Sequence, residues 1–239
     1  MRADTDSKNG SDDNKRNKEV SPLSTQQPNT FLKVANTIED LKLKFELFVR
    51  QQPDRCRICG DAERGKRPLN PPPIVQLRIL QAIKVKGDCI FEEVRPLDVD
   101  KFIVVCSLRT ENNDDLSLSR GSSILVGNLV SNAYVGFDDK GKEGIFFFFP
   151  ELSGRIEGRY CLCFRLHMIS DFDVGNTPET KPSRVMAECM SNVFKIYSPK
   201  DFPGMQKSSP LTRVLASQGI KIPVRNEIRK KRKPPKIVR

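Results

Sequence analysis

Residues 160–168 carry the pattern that most restricts the fold of this chain, an alternation of apolar and other side chains. The sequence there reads YCLCFRLHM. A period of two places successive side chains on opposite faces of a β-strand, so we expect one face of this strand to be buried. The pattern therefore predicts a sheet that covers a core on one side.

Other short runs also predict strands. FIVVCSL at 102–108 is continuously apolar, as in a strand covered on both faces, and 145–149 contains four consecutive phenylalanines between Gly144 and Pro150. Asp138–Gly141 (DDKG) predicts a hairpin turn. The predicted strands are Leu41–Arg50, Ile74–Ile83, Phe102–Leu108, Ser123–Val130, Ala133–Phe137, Ile145–Phe149, Tyr160–Met168 and Val193–Tyr197. Seven or more short strands separated by turn residues indicate an all-β, Ig-like β-sandwich.

One helix is predicted near residues 209–218. Ser209 can cap its N-terminus, Pro210 suits the first helical position, and Gly219 suits the position after the end. Leu211 and Leu215 share one face of this helix. Two alternatives stay open, namely that this face packs on the core or that it contributes to dimer contacts.

The two ends of the chain differ from its middle. Residues 1–30 are rich in Ser, Asn, Asp, Lys and Gln and have few apolar side chains. We therefore predict a disordered tail at 1–38, one domain at 39–226 and a basic tail at 227–239. No long apolar run and no secretory signal is present, so we expect no membrane association and reduced cysteines.

The net charge of +11 is concentrated in two stretches. Residues 50–86 hold nine basic and three acidic side chains, and residues 221–239 hold nine basic and one acidic side chain. The rest of the chain has no excess of positive charge. Such a localised footprint is typical of nucleic-acid binding, whereas a solubility or targeting role could explain the tail alone.

The first basic stretch, Arg50–Leu77, predicts a cationic loop held between two strands. Pro53 weakens strand pairing at its start, and Pro71–Pro73 restrict the chain to extended conformations at its exit. Arginine can fork onto guanine, glutamine can pair with adenine, and lysine suits phosphates. The predicted DNA contacts are Arg50, Gln51, Gln52, Arg55, Arg57, Lys66 and Arg67.

The same stretch carries a family resemblance. VRQQPDRCRICG followed by KRPLNPPPIVQL resembles the opening signature of the velvet family of fungal regulators, and GIFFFFPELSGRIEGRYCLCFRLHMIS and YSPKDFPGMQKSSPLTRVLASQGIKIPVR agree with later family segments. Cys56, Lys66 and Asn70 depart from the usual alanine, arginine and acidic residue. The resemblance implies a sandwich similar to the Rel-homology DNA-binding domain. It also implies dimerisation with other velvet proteins and control of development, sporulation and secondary metabolism.

Residue patterns for catalysis or metal binding are weak. Cys56-x-x-Cys59 supplies one pair of zinc ligands where a structural site needs two, and Cys161, Cys163 and the single histidine, His167, could complete a site only by coming close to that pair. We therefore expect no metal, no cofactor, no small-molecule substrate and no enzymatic activity. For Cys56 we predict a loop thiol whose pKa is lowered by neighbouring arginines.

Two functions remain after these exclusions. The first is a sequence-specific transcription regulator that binds double-stranded DNA as a homo- or heterodimer with another velvet protein. The second is a nuclear scaffold that dimerises with such a protein without contacting DNA. Both imply a nuclear location, with shuttling through the cytoplasm compatible with either.

The tail generates a prediction about localisation. Arg229, Lys230, Lys231, Arg232 and Lys233 form a compact basic cluster of the kind that nuclear import receptors read. Residues 228–239 fused to a fluorescent reporter should direct it to the nucleus, as seen by microscopy. A fusion that stays in the cytoplasm would contradict this role, and a tail with these five residues changed to alanine is the control.

Overall fold

The computed structural model of the chain describes residues 43–60, 67–85, 88–96, 98–116, 124–169 and 184–226. The predicted N-terminal tail and the basic tail lie outside these ranges.

The described residues form fourteen strands, a short 3-10 helix at Val99–Lys101 and one α-helix. The first seven strands are β1 (Leu43–Gln51), β2 (Arg55–Arg57), β3 (Arg67–Asn70), β4 (Ile74–Val85), β5 (Asp88–Glu93), β6 (Phe102–Thr110) and β7 (Leu125–Val126). The others are β8 (Val130–Asn132), β9 (Tyr134–Phe137), β10 (Glu143–Phe148), β11 (Ser153–Gly154), β12 (Gly158–Met168), β13 (Val185–Met190) and β14 (Phe194–Tyr197), followed by helix α1 (Pro210–Ser217).

Two large sheets make up the sandwich. The five-stranded sheet has the order β1-β4-β10-β9, with β5 also paired to β4. The seven-stranded sheet has the order β3-β2-β14-β12-β6-β8, with β13 also paired to β12. A third, two-stranded sheet consists of β7 and β11. The predicted all-β sandwich is confirmed.

Alternation along the central strands builds the core between the sheets. Leu162, Phe164 and Leu166 of β12 are fully buried, and each lies opposite a buried residue of β6. Aromatic contacts join the layers: the ring centroids of Phe149 and Phe164 are 5.1 Å apart. Burial of such rings is the main favourable contribution to folding, since the gain scales with the apolar area removed from water.

The phenylalanine run in and after β10 serves two different layers. Phe147 and Phe149 lie in the core between the sheets. Phe146 points to the opposite face, where it packs with Leu211 and Leu215 of α1. Helix α1 thus covers the outer face of the five-stranded sheet, which explains why consecutive aromatic residues can all be shielded.

Both ends of α1 are fixed as the sequence predicted. The Ser209 hydroxyl accepts a hydrogen bond from the Thr212 N–H at 3.0 Å, and Gly219 has a φ of 95°, which favours glycine. The Gln218 amide donates to the Phe137 carbonyl and accepts from the Phe137 N–H, so it satisfies both backbone groups on edge strand β9. No helix in the described part of the chain is long and apolar enough to cross a membrane.

Several strand predictions need correction. The predicted weak strand at Ser123–Val130 is replaced by two short pieces, β7 and the start of β8, and β5, β11 and β13 were not predicted. The interval predicted as a basic loop contains β2 and β3, which extend the seven-stranded sheet. These elements have two to six residues, too few for a period of two to stand out, and strand pairing rather than a local pattern defines them.

A pair of substitutions tests the two-layer assignment of the phenylalanine run. Phe147→Ala should lower the free energy of unfolding by about 3–5 kcal/mol, because it leaves a cavity between the sheets. Phe148→Ala, at a half-buried neighbour on the other face, should cost clearly less. Urea denaturation followed by circular dichroism measures both. Equal losses, or a larger loss for Phe148→Ala, would contradict the assignment.

Candidate nucleic-acid interface

Strand β2 carries the central arginines of the candidate interface. It runs parallel to β14, with Arg55 beside Lys195, Cys56 beside Ile196 and Arg57 beside Tyr197. Cys56 and Ile196 are fully buried. Successive side chains of a strand point to opposite faces of the sheet. Because Cys56 points inward, Arg55 and Arg57 lie together on the outer face.

Burial of Cys56 fixes β2 in place. Its thiol donates to the Arg67 carbonyl at 3.3 Å and accepts from the Gly154 N–H at 3.4 Å. A Cβ atom at position 154 would overlap the Ile196 side chain, so only glycine allows this close approach. Desolvation raises the pKa of the Cys56 thiol to about 11. The predicted loop thiol with a lowered pKa is therefore wrong, because desolvation by burial outweighs the lowering effect of the Gly154 hydrogen bond.

Strand β3 brings a third arginine to this face. Arg57 lies directly opposite Arg67 in the antiparallel pair β2–β3, and both side chains are half-buried. On the inner side, Leu69 is buried and its N–H donates to the Leu152 carbonyl at 2.7 Å. The arginines are thus held on paired strands, where their backbone positions are defined.

A row of cations continues from β2 across the sheet. Arg159 of β12 lies beside Lys195 of β14, and Lys195 lies beside Arg55. Carboxylates pair with the two ends of this row: Glu111 contacts Arg159 at 2.8 Å, and Asp54 contacts Arg55 at 2.6 Å. The ammonium group of Lys195 lies 4.7 Å from the centre of the Tyr197 ring.

The segment after β14 borders this face. The Gln206 N–H donates to the Asn70 side-chain oxygen at 2.6 Å, and the Gln206 amide donates to Asp54 at 2.6 Å. Asn70 is buried, so its side chain holds the segment after β14 and does not face solvent. Lys200 and Lys207 on this segment are exposed.

Three of the predicted contacts, Arg55, Arg57 and Arg67, are brought together by the structure. Arg50 is on β1 of the other sheet, where its guanidinium contacts Asp138 at 3.0 Å and Asp139 at 3.6 Å. Lys66 and the cluster Arg229, Lys230, Lys231, Arg232 and Lys233 lie outside the described residues.

Gln51 holds a structural position. Its amide nitrogen donates to the Pro72 carbonyl at 2.7 Å and to the Thr212 hydroxyl at 2.9 Å, and its oxygen accepts from Ser209 and Thr212. Only 7% of Gln51 is exposed, so no donor or acceptor is left for a base. Its neighbour Gln52 is half-buried, and its side-chain oxygen accepts from the Asn192 N–H at 2.8 Å.

Sequence reasoning missed Lys195 and Arg159. Both are exposed strand residues: Lys195 lies between the buried Phe194 and Ile196, and Arg159 precedes the buried Tyr160. That alternation was visible, but only the strand pairing shows that these two cations flank Arg55.

The cysteines and the histidine considered for metal binding lie on different faces of the seven-stranded sheet. Cys56 faces the interior of its sheet, whereas Cys161, Cys163 and His167 alternate with the core residues of β12 and lie on its opposite face. Within the described ranges, no three side chains of the metal-binding types come together.

Gln51 and Gln52 offer a matched pair for testing which glutamine is structural. Gln51→Ala should lower the free energy of unfolding by about 1–3 kcal/mol, because it removes the hydrogen bonds of the Gln51 side chain to the Pro72 carbonyl and to the buried Thr212 hydroxyl. Gln52→Ala, which removes one half-exposed hydrogen bond, should cost about 1 kcal/mol or less. Urea titration measures both, and a Gln51→Ala protein as stable as the wild type would refute the structural role.

Comparisons with known proteins identify the family of this chain. The family model "Velvet factor" matches residues 45–123 and 112–228. The sexual development regulator VELC of Pyricularia oryzae is 38% identical over 188 residues, which cover 76% of this chain and 41% of that protein.

Two further relatives carry other roles in their names. The spore development regulator vosA of Beauveria bassiana is 35% identical over 201 residues, covering 80% of this chain and 69% of that protein. The developmental and secondary metabolism regulator veA of Emericella nidulans is 31% identical over 218 residues, covering 82% and 38%. The chain thus spans about two-fifths of the length of VELC and of veA. The family match and these identities show that the chain belongs to the velvet family.

Proposed function

We propose that this chain is a sequence-specific transcription regulator that binds double-stranded DNA through the outer face of strands β2, β3 and β14. The observation that carries the proposal is the grouping of Arg55, Arg57 and Arg67 on two paired strands, with Lys195 beside them. An arrangement of several cations on one rigid sheet face is complementary to a polyanion.

Preorganisation supports this proposal over a role in solubility. The backbone under the arginines is fixed by the buried Cys56, by the close approach of Gly154 and by the hydrogen bond from Leu69 to Leu152. Guanidinium groups on a fixed backbone lose less entropy on binding than groups on a mobile loop. A role in solubility requires exposed charge, but it does not require the charged residues to lie at fixed positions on paired strands.

Lysine and arginine side chains differ in the DNA groups that they can contact. Lysine acts as a point charge toward phosphate, whereas arginine can fork onto phosphate oxygens or onto O6 and N7 of guanine. The connection between β2 and β3 contains Arg64 and Lys66 but also Asp61 and Glu63, so its formal net charge is zero. We therefore propose the arginines as the candidates for base readout and Lys66 as a phosphate contact.

The names of the relatives support the biological part of the proposal. They are regulators of sexual development, of spore development and of development with secondary metabolism. We propose that this chain acts in the nucleus in the same processes, as a homo- or heterodimer with another velvet protein.

The alternative, a scaffold that does not contact DNA, is favoured by one observation. All six residues of β5 are exposed, and Ile90 and Phe91 are 46% and 55% exposed. Exposed apolar side chains on an edge strand suit strand pairing or packing with another protein. Such a contact is compatible with DNA binding on the other sheet, so titrations with and without a velvet partner separate the two roles.

DNA titration tests the proposed interface. After selection of a target from random-sequence duplexes, Arg57→Gln/Arg67→Gln should bind it more weakly than the wild type. The slope of log K against log salt should flatten by about 0.9 for each phosphate that the variant no longer neutralises. Fluorescence anisotropy at several salt concentrations gives both quantities.

A charge-matched variant completes this experiment. Lys84→Gln/Lys221→Gln removes two exposed charges from elsewhere on the surface and should keep the wild-type slope. If the arginine variant also keeps the wild-type affinity and slope while remaining folded, these strands are not the contact surface.

A further inference from the structure

We propose that Arg159, Lys195 and Arg55 form a phosphate-binding row across three strands, with Lys195 as its main contact. This inference rests on the proposed DNA binding and extends that interface from β2 and β3 to β14 and β12. The row is defined by register: Arg159 lies beside Lys195 and Lys195 beside Arg55.

The spacing of the row fits one strand of a duplex. Neighbouring β-strands lie about 4.8 Å apart, so the three backbone positions span about 10 Å. Successive phosphates on one DNA strand rise by about 3.4 Å along the helix axis and also turn around it, so their direct separation exceeds this rise and a span of about 10 Å covers about two of them. The long side chains of lysine and arginine can take up the remaining mismatch.

Charge pairing singles out Lys195 within the row. Arg159 pairs with Glu111, and Arg55 pairs with Asp54. Lys195, between them, has no carboxylate within ion-pair distance among the described residues; its ammonium group lies over the Tyr197 ring instead. A phosphate therefore meets no competing carboxylate at Lys195, whereas it must compete with Glu111 or Asp54 at the two ends.

Position in the sheet argues against a protective role for this lysine. Lysines on edge strands often block pairing with other chains. Strand β14, however, is internal, because β12 and β2 pair with its two sides. Like charges on neighbouring strands are mutually destabilising, so a lysine between two arginines is unfavourable for the free protein. A polyanion on this face removes that disadvantage.

Lys195→Gln tests the row. Binding should weaken roughly three- to ten-fold, equally for the selected target and for a random-sequence duplex, and the salt slope should fall by about 1, as expected when one phosphate is no longer neutralised. The melting temperature should stay equal to that of the wild type or rise, because one like-charge neighbour is removed. Arg159→Gln should have a smaller effect on affinity, since Glu111 already holds that guanidinium.

Two further variants make the result decisive. Lys84→Gln removes the same charge from an exposed position on β4 and should leave affinity and slope unchanged. Lys195→Arg keeps the charge and should retain most of the affinity. Weaker binding by Lys195→Gln that comes with a lower melting temperature and is not rescued by arginine would assign a structural role and overturn the inference.

Failure of this inference differs from failure of the proposed function. If the wild type binds no duplex, DNA binding itself is wrong and the row has no ligand. If the wild type binds and Arg57→Gln/Arg67→Gln binds weakly, but Lys195→Gln keeps the wild-type affinity and slope, only the row is wrong.

Discussion

The pairing of the three-residue strand β2 with β14 is the constraint on which the candidate interface depends. It is stabilised from the inside, because Cys56 and Ile196 are buried side by side and the Cys56 thiol contacts both Arg67 and Gly154. With those two residues facing inward, their neighbours Arg55 and Arg57 must face outward. The apolar interior therefore determines which direction the arginines take, and no contact among the arginines themselves is needed.

A second set of buried polar contacts joins the end of β1, the proline run and the start of α1. Gln51 at the end of β1 connects the proline run to Ser209 and Thr212 at the start of α1. Since α1 covers Phe146 on the outer face of the five-stranded sheet, the helix cap, the sheet and the proline segment share one network. Buried networks that are fully satisfied favour a single arrangement, because any displacement leaves a polar group without a partner.

Sequence reasoning succeeded where the information is local. The alternation in residues 160–168 and the caps Ser209 and Gly219 depend on neighbours within a few positions, and both were confirmed. It failed where distant parts of the chain decide: β2 exists through pairing with β14, and Gln51 bonds to residues 158 and 161 positions away. The sequence does not show those partners, so the Gln51 amide was predicted to contact a DNA base. The pKa of Cys56 was misjudged for the same reason, because burial is a tertiary property.

The sandwich can carry a row of like charges because the cost is small on the scale of its stability. Two exposed unit charges about 7 Å apart repel by about 0.6 kcal/mol in water, and physiological salt reduces this further. Domains of this kind are stable by about 5–15 kcal/mol, so a few such repulsions leave the fold intact. The same charges facing a duplex gain more, since each phosphate contact also releases a condensed counterion. Under the proposed DNA binding, the row would cost the free protein little and would favour the complex.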